Sequence, residues 1–177
     1  GMPSDLDRLR QEYKDRASRL ADSSRYSLEN PAYRFAIENR RAALTKLLVR
    51  NGLKNLEEKL VLEIGCGSGG VLHEYEQLGI PQSSLIGIDL LFDRLEVAHI
   101  TLPDAGVCNA DGQKLPFPDH CFDFILQYTA FSSILDTQIK KNMAVDLIRA
   151  LKLNGTVIWY DFWWNPTNRQ TRGINRL

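Results

Sequence analysis

The chain has 177 residues, with 22 Lys plus Arg against 22 Asp plus Glu, so no overall field draws it onto nucleic acid or an anionic membrane. That length fits one domain with a sizeable core; no apolar run approaches the ~20 residues of a membrane span, and the polar start lacks the apolar stretch of a signal peptide, so the default is a soluble cytoplasmic protein. Cys66, Cys108 and Cys121 lie in no C-x-x-C spacing, which argues against a disulfide framework or a zinc site and for small buried hydrophobes.

Along the chain, Ser4 is positioned to cap a charged helix in which Leu6, Leu9, Tyr13, Ala17 and Leu20 share one face. A polar connector over 22–30 leads to Pro31, suited to the first turn of a second helix that carries Phe35, Leu44, Leu47 and Leu48 and stops at Asn51-Gly52. Residues 1–52 therefore read as a helical cap, and 53–177 as the main body. Strands are expected near 60–64, 85–89, 106–110, 122–127 and 156–162. Between them lie a helix from Gly70 to Leu78 ended by Gly79, a short helix through Phe92 and Leu95, the turn Lys114-Leu-Pro-Phe-Pro118, and a helix capped by Asp136 with Ile139, Met143, Leu147 and Leu151 inward. Asn154-Gly155 is expected to break that last helix. The β-α-β alternation predicts an α/β fold, a Rossmann-like doubly wound, mostly parallel sheet with N-terminal helices.

The most informative stretch is Val61-Leu-Glu-Ile-Gly-Cys-Gly-Ser-Gly-Gly70, where a buried strand runs into a glycine turn and then a helix. Gly65 and Gly67 let the backbone bend and approach a ligand at contact distance, with helix N–H groups facing it. Gly65, Gly67 and Gly70 also satisfy G-x-G-x-x-G, and Asp89 follows at the end of the second strand, so the glycines alone leave a NAD(P)-dependent oxidoreductase open. Glu63 discriminates. A carboxylate two positions before the turn suits a cationic ligand better than a doubly negative pyrophosphate.

Glu63-Ile-Gly-Cys-Gly-Ser-Gly69 resembles the first motif of class I S-adenosylmethionine-dependent methyltransferases, and Ile86-Gly-Ile-Asp89 resembles their second-strand acid. Val107-Cys-Asn-Ala-Asp111-Gly is similar to the family's third-strand end, Leu115 to Gln127 to its fourth strand, and Leu151-Lys-Leu-Asn-Gly155 to the turn before its fifth. The resemblance implies S-adenosyl-L-methionine as cofactor. It implies that Glu63 stabilises the turn and the ammonium end, that Gly65, Cys66 and Gly67 approach the methionine part, and that Asp89 accepts from both ribose hydroxyls. It further implies that Asp111, with Gly112 beside it, meets the adenine amino group, that Leu90 and Ala110 sandwich the ring, and that Gln127 lines the methionine side. Asp123 is left out of the site as a residue that orients its own strand, and His73, His99 and His120 read as surface residues.

In-line displacement from a sulfonium needs alignment and exclusion of water, worth roughly 7 to 11 kcal/mol, and neither a metal nor a covalent intermediate. Asp161, at the end of the fifth strand, is the candidate general base if the nucleophile is oxygen. No Asn/Asp-Pro-Pro-aromatic motif follows the fourth strand and no Pro-Cys pair exists, which speaks against DNA methylation; Arg169, Arg172 and Arg176 read as a solvated tail. Phe131-Ser-Ser-Ile-Leu-Asp136, Trp159-Tyr-Asp-Phe-Trp-Trp-Asn-Pro166 and Arg172-Gly-Ile174 resemble a bacterial subgroup often encoded beside glycosyltransferase and polysaccharide genes, which implies a small-molecule or sugar-containing (glycan) acceptor. Trp159, Trp163 and Trp164 could stack on sugar faces, although aromatics at a strand end more often serve a core or interface.

The family usually carries a sixth and a seventh strand, so the sheet reads as truncated after the fifth. The exposed fifth-strand edge then calls for either a shortened chain or a homodimer that covers it. A non-catalytic or regulatory protein that retains the cofactor pocket is the main alternative to a transferase.

Overall fold

Short apolar runs bounded by turn residues become the strands β1 (Val61–Ile64), β2 (Leu85–Asp89), β3 (Gly106–Asn109), β4 (Phe122–Tyr128) and β5 (Leu151–Tyr160) of the computed structural model. The structure describes residues 29–51, 55–128, 130–134 and 136–160, together with residues 4, 7, 8, 10, 11, 14 and 15. Leu6, Leu9, Tyr13, Ala17, Leu20, Asp161, Trp163, Trp164, Arg169, Arg172 and Arg176 lie outside the described residues. The helices are α1 (Pro31–Arg50), α2 (Gly70–Gln77), α3 (Phe92–Thr101), the single turn α4 (Ala130–Ser133) and α5 (Thr137–Ala150).

The five strands form one sheet in the order β3-β2-β1-β4-β5, and every neighbouring pair is parallel. The chain winds from β1 outward to β3 and then returns to β4 on the other side of β1. That reversal opens a crevice beyond the carboxyl ends of β1 and β4, where sheets of this kind receive ligands.

Alternation along the strands sends successive side chains to opposite faces. Val61, Leu85, Phe124 and Leu126 pack with Leu44 and Leu48 of α1, Leu72 and Tyr75 of α2, and Leu95 and Leu102 of α3. On the other face Leu62, Ile64, Ile88 and Ile125 meet Met143, Leu147 and Ala150 of α5, with Leu115 and Phe131. Asn30 caps α1 through its side chain and Asp136 caps α5, accepting from the Gln138 and Ile139 amides at 2.7 and 3.2 Å. Ser4 accepts from the Asp7 amide at 3.1 Å while Asp7 accepts from the Ser4 amide at 3.3 Å, a reciprocal cap.

Along α1, Phe35 and Leu47 are 65% and 47% exposed, while Leu44 and Leu48 are buried. Expectations for the last helix, the strand after it and the cysteines need correction. The last helix ends at Ala150, and Leu151 already pairs with Phe122 in β5. Phe124 then pairs with Thr156, so β5 absorbs three extra residues at the Asn154-Gly155 position as a bulge inside the strand. A Cβ on Gly155 would lie 2.6 Å from Leu151 Cδ1, which is why the bulge takes glycine. Among the cysteines only Cys66 is fully buried; Cys108 and Cys121 are half-buried.

Asp123 ties the starts of two strands together, accepting from the Leu60 amide and from Lys152 Nζ at 3.0 Å each. Those hydrogen bonds hold its carboxyl below the usual aspartate range despite partial burial. His73, His99 and His120 are exposed. Among the described residues, no helix is long and apolar enough to cross a membrane.

Candidate functional site

At the carboxyl end of β1 the chain turns through Gly65, Gly67 and Gly69, with φ of +76°, +52° and +83°, a region that side chains with a Cβ rarely adopt. The turn is clamped to β2: the Gly65 and Cys66 amides both donate to the Ile88 carbonyl, at 2.8 and 2.9 Å. Asp89, next along β2, accepts from the Gly67 amide through Oδ2 and from the Leu91 amide through Oδ1, at 2.9 Å each. One buried carboxylate thus organises both the glycine turn and the entry to α3. A carboxylate offers about four lone-pair directions, so two remain for a ligand.

Glu63 lies on the face covered by α1, α2 and α3 and is 2% exposed, and its Oε2 has no hydrogen-bond partner among the described residues. Burial pushes its carboxyl well above the ordinary glutamate range, and the nearby Asp89 and Glu74 charges push the same way; Arg40 and Arg94 pull back. A buried oxygen with nothing to bind is costly unless a ligand completes it.

Cys66 turns its thiol away from the crevice and over β2, where a Cβ on Gly87 would lie 2.6 Å from Sγ. Burial pushes the thiol's pKa up, as in a cysteine that packs rather than reacts, and Sγ lies 3.7 Å from the Gly67 carbonyl oxygen within the turn. Leu90 is half-buried and lines a cavity of about 420 Å³ with Leu91, Phe92, Asp93, Arg94, Arg10 and Lys14. Ala110 is half-buried at the end of β3, its amide donating to the Asp89 carbonyl at 3.2 Å. Asp111 accepts from the Gln113 amide at 2.9 Å and from Gln113 Nε2 at 3.0 Å, a local turn that employs both its oxygens. Gly112 is packed under α5, where a Cβ would meet Met143 Cε at 2.8 Å, so its smallness serves that packing. Gln127 is fully buried at the end of β4, in register with Ile64 of β1 and Trp159 of β5.

Sequence reasoning missed a polar layer around Glu63. Arg40 of α1 forms an ion pair with Glu74 of α2 and lies over the Tyr128 and Tyr160 rings, 5.8 and 5.9 Å from their centroids. Tyr128 stacks on Tyr160 with centroids 5.4 Å apart, and its hydroxyl is 3.2 Å from that of Tyr75. These partners are 34 and 53 residues apart, beyond the reach of any local pattern.

Glu63 makes the ligand-free protein pH-sensitive in a definite direction. Because its folded pKa is raised, the carboxyl costs nothing below the unfolded value of about 4.3, and stability is lost as pH rises through the folded value. Glu63→Gln is therefore expected to raise the thermal midpoint over wild type at neutral pH, with the gap closing near pH ~4. A gap independent of pH would show that Glu63 does not carry the effect.

The residues present suit a ligand with a cationic end, which a free buried carboxylate oxygen would receive, and a hydroxyl-bearing part beside Asp89. A family model described as a methyltransferase domain matches residues 61–155, more than half of the chain. The ubiquinone/menaquinone biosynthesis C-methyltransferase UbiE of Stutzerimonas stutzeri is 28% identical over 115 residues, covering 62% of this chain and 43% of that protein. UbiE of Saccharophagus degradans is 28% identical over 163 residues, 84% of this chain and 61% of that protein, so the chain spans less than two thirds of these relatives. Among solved structures, the PH0226 protein of Pyrococcus horikoshii superposes with a TM-score of 0.65 at 21% identity, covering 81% of this chain and 61% of that one. An S-adenosylmethionine-dependent methyltransferase of Methanosarcina mazei gives 0.52 at 24% identity over 59% of this chain and 52% of its own. Those structural likenesses establish the fold; with the glycine turn, Glu63 and Asp89 in place, the match along 61–155 puts the chain in the methyltransferase-domain family, whose cofactor is S-adenosyl-L-methionine.

Proposed function

We propose that this chain transfers a methyl group from S-adenosyl-L-methionine to a small-molecule or sugar-containing acceptor. The observation that supports it most is the buried, unpartnered Oε2 of Glu63 beneath a glycine turn whose amides are already fixed by Ile88 and Asp89. When bound, the sulfonium cofactor supplies an electrophilic methyl group. The chain's own part is to bind, align and keep water away. Glu63 would receive the cationic amino end, Gly65 and Gly67 would let the backbone approach it, and Asp89 would accept from the ribose through its remaining lone pairs. Gln127 would line the methionine side; Leu90, Ala110 and Asp111 would surround the base, Asp111 only by sharing oxygens that Gln113 now engages.

For the acceptor, the ends of β4 and β5 offer aromatic surface. Trp159, 45% exposed, lies against Phe131 with centroids 4.6 Å apart, and Tyr160, 48% exposed, lies on Tyr128. Flat apolar faces of that kind suit a ring or a sugar face. Asp161, next in sequence after Tyr160, is the candidate base for an oxygen nucleophile. β5 is an edge strand of the described sheet, and a second copy of the chain pairing along it is the partner we infer for that edge. Light scattering at twice the chain mass supports this dimer, and a monomer overturns it.

Titration calorimetry with S-adenosylmethionine and NADH, followed by mass analysis of candidate acceptors for an added methyl group, tests the reading. Binding of the sulfonium ligand alone, with methylated product, is expected. No affinity for it overturns the proposal, and binding without turnover on any acceptor favours a regulatory cofactor-binding protein instead.

A further inference from the structure

Two cations act on the buried Glu63, and they differ in what else holds them. Arg40 is committed to Glu74. The guanidinium of Arg94, in the first turn of α3, makes no hydrogen bond or ion pair among the described residues. Its guanidinium nevertheless occupies a definite place, directly over Gly67. A Cβ there would collide with it, with Cζ at 2.6 Å and Nη1 at 3.1 Å, so the guanidinium fills the space that this glycine leaves open. Arg94 also lines the 420 Å³ cavity beside Leu90 and Leu91, so it stands between that cavity and the glycine turn. Five N–H donors in a fixed fork, half-buried and without an acceptor among the described residues, are an arrangement that a ligand anion completes.

The amino-acid end of the family's cofactor carries an ammonium group and a carboxylate. The buried acids Glu63 and Asp89 suit the ammonium and the ribose hydroxyls, and both repel a carboxylate brought to the same turn. We propose that Arg94 is a positioning residue that binds the carboxylate of the cofactor's amino-acid end, fixing that end against the glycine turn between the two acids. The proposal rests on the methyltransferase reading. It adds a counter-charge that neither the glycine motif nor the strand-end acids supply. It also explains why the space that a Cβ on Gly67 would take is filled by a cation and not by an aliphatic side chain of the α3 apolar face.

The test is calorimetric affinity of the full chain for S-adenosylmethionine, S-adenosylhomocysteine and decarboxylated S-adenosylmethionine, in wild type, Arg94→Met and Arg94→Lys. Arg94→Met is expected to weaken the two carboxylate-bearing ligands by about ten- to a hundredfold, the range for losing hydrogen bonds between charged groups, and to leave the decarboxylated ligand unchanged. Arg94→Lys should recover part of the loss, because it keeps the charge without the fork. The ligand-free variants are compared by thermal midpoint as well, since losing the cation near Glu63 acts on the fold whereas the selective loss of the carboxylate-bearing ligands does not follow from it. Should Arg94→Met not fold, wild type decides: it must itself bind the carboxylate-bearing ligands more tightly than the decarboxylated one. Equal losses for all three ligands, or none, overturn the role of Arg94. Wild-type protein that binds none of the three overturns the methyltransferase reading and this proposal with it.

Discussion

Asp89→Ala is expected to lower stability by about 3 kcal/mol and, if the proposed site holds, to weaken cofactor binding by more than about tenfold, because the proposal gives both tasks to one side chain. Its two oxygens take the Gly67 and Leu91 amides at 2.9 Å in a site where only 9% of the residue is exposed. Hydrogen bonds to a charged group contribute about 1.5–3 kcal/mol each, and the alanine variant leaves two amides without that acceptor. Asp89→Asn separates the tasks. Its amide keeps one accepting oxygen, so one backbone partner survives while the other faces an N–H group. Denaturant midpoints, calorimetry and hydrogen exchange at Gly67 and Leu91 measure these effects. Unchanged affinity in Asp89→Ala removes the residue from the site, and unchanged exchange at both amides removes it from the architecture of the turn.

The strand end that carries Asp89 is where the sequence was legible and where it stopped being so. Asp89 stood out because an acid ends an apolar strand and a helix follows, a signal carried by adjacent residues. The strands themselves were legible for the same reason: apolar runs and turn residues are local, and β1, β2, β3 and β4 fall within a residue or two of their expected bounds. The facing of α1 was not legible. Leu47 lies one helical turn from Leu44 and beside Leu48, yet it stays 47% exposed, whereas Leu44 and Leu48 are buried and Arg40 of the same helix pairs with a residue 34 positions away. β5 defeated expectation through its bulge. Asn154-Gly155 does carry turn chemistry, but parallel pairing with β4 begins before it and resumes after it. At Asp111 the structure adds what the strand-end position alone does not tell, that both carboxylate oxygens are engaged by the neighbour two positions on, a common local use of aspartate in a turn.

The polar layer between the sheet and the helices α1 to α3 has its own logic. Glu63, Glu74 and Asp89 bring three carboxyls to one side of the sheet, and Arg40 and Arg94 are the cations that temper Glu63. Such a layer trades packing for electrostatic poise, since buried polar groups stabilise a fold only when each has a partner. Arg40 meets that condition through Glu74, whereas the free oxygen of Glu63 leaves it to a ligand. The stable part of the layer therefore lies towards α1 and the responsive part towards the glycine turn.

Breaking the stable part should consequently be costly, and the cost should disappear when both charges go. In Arg40→Met the apolar stem still covers Tyr128 and Tyr160, but Glu74, whose side chain is 9% exposed, loses its ion pair with Arg40. Removal of one member of a buried pair destabilises by about 3–5 kcal/mol, because the survivor is a charge without compensation. The double variant Arg40→Met with Glu74→Leu replaces the pair by apolar groups of similar volume and is expected to return close to wild-type stability, since such replacements are often neutral. Urea unfolding of wild type, both single variants and the double variant completes the cycle. Additive losses would show that the two residues act separately and that the ion pair does not dock α1. A non-additive cycle with wild-type cofactor affinity in the double variant would place the pair in the scaffold. A non-additive cycle with weakened affinity would instead show that charge at Glu74 reaches the site through Glu63, the carboxyl on which it acts.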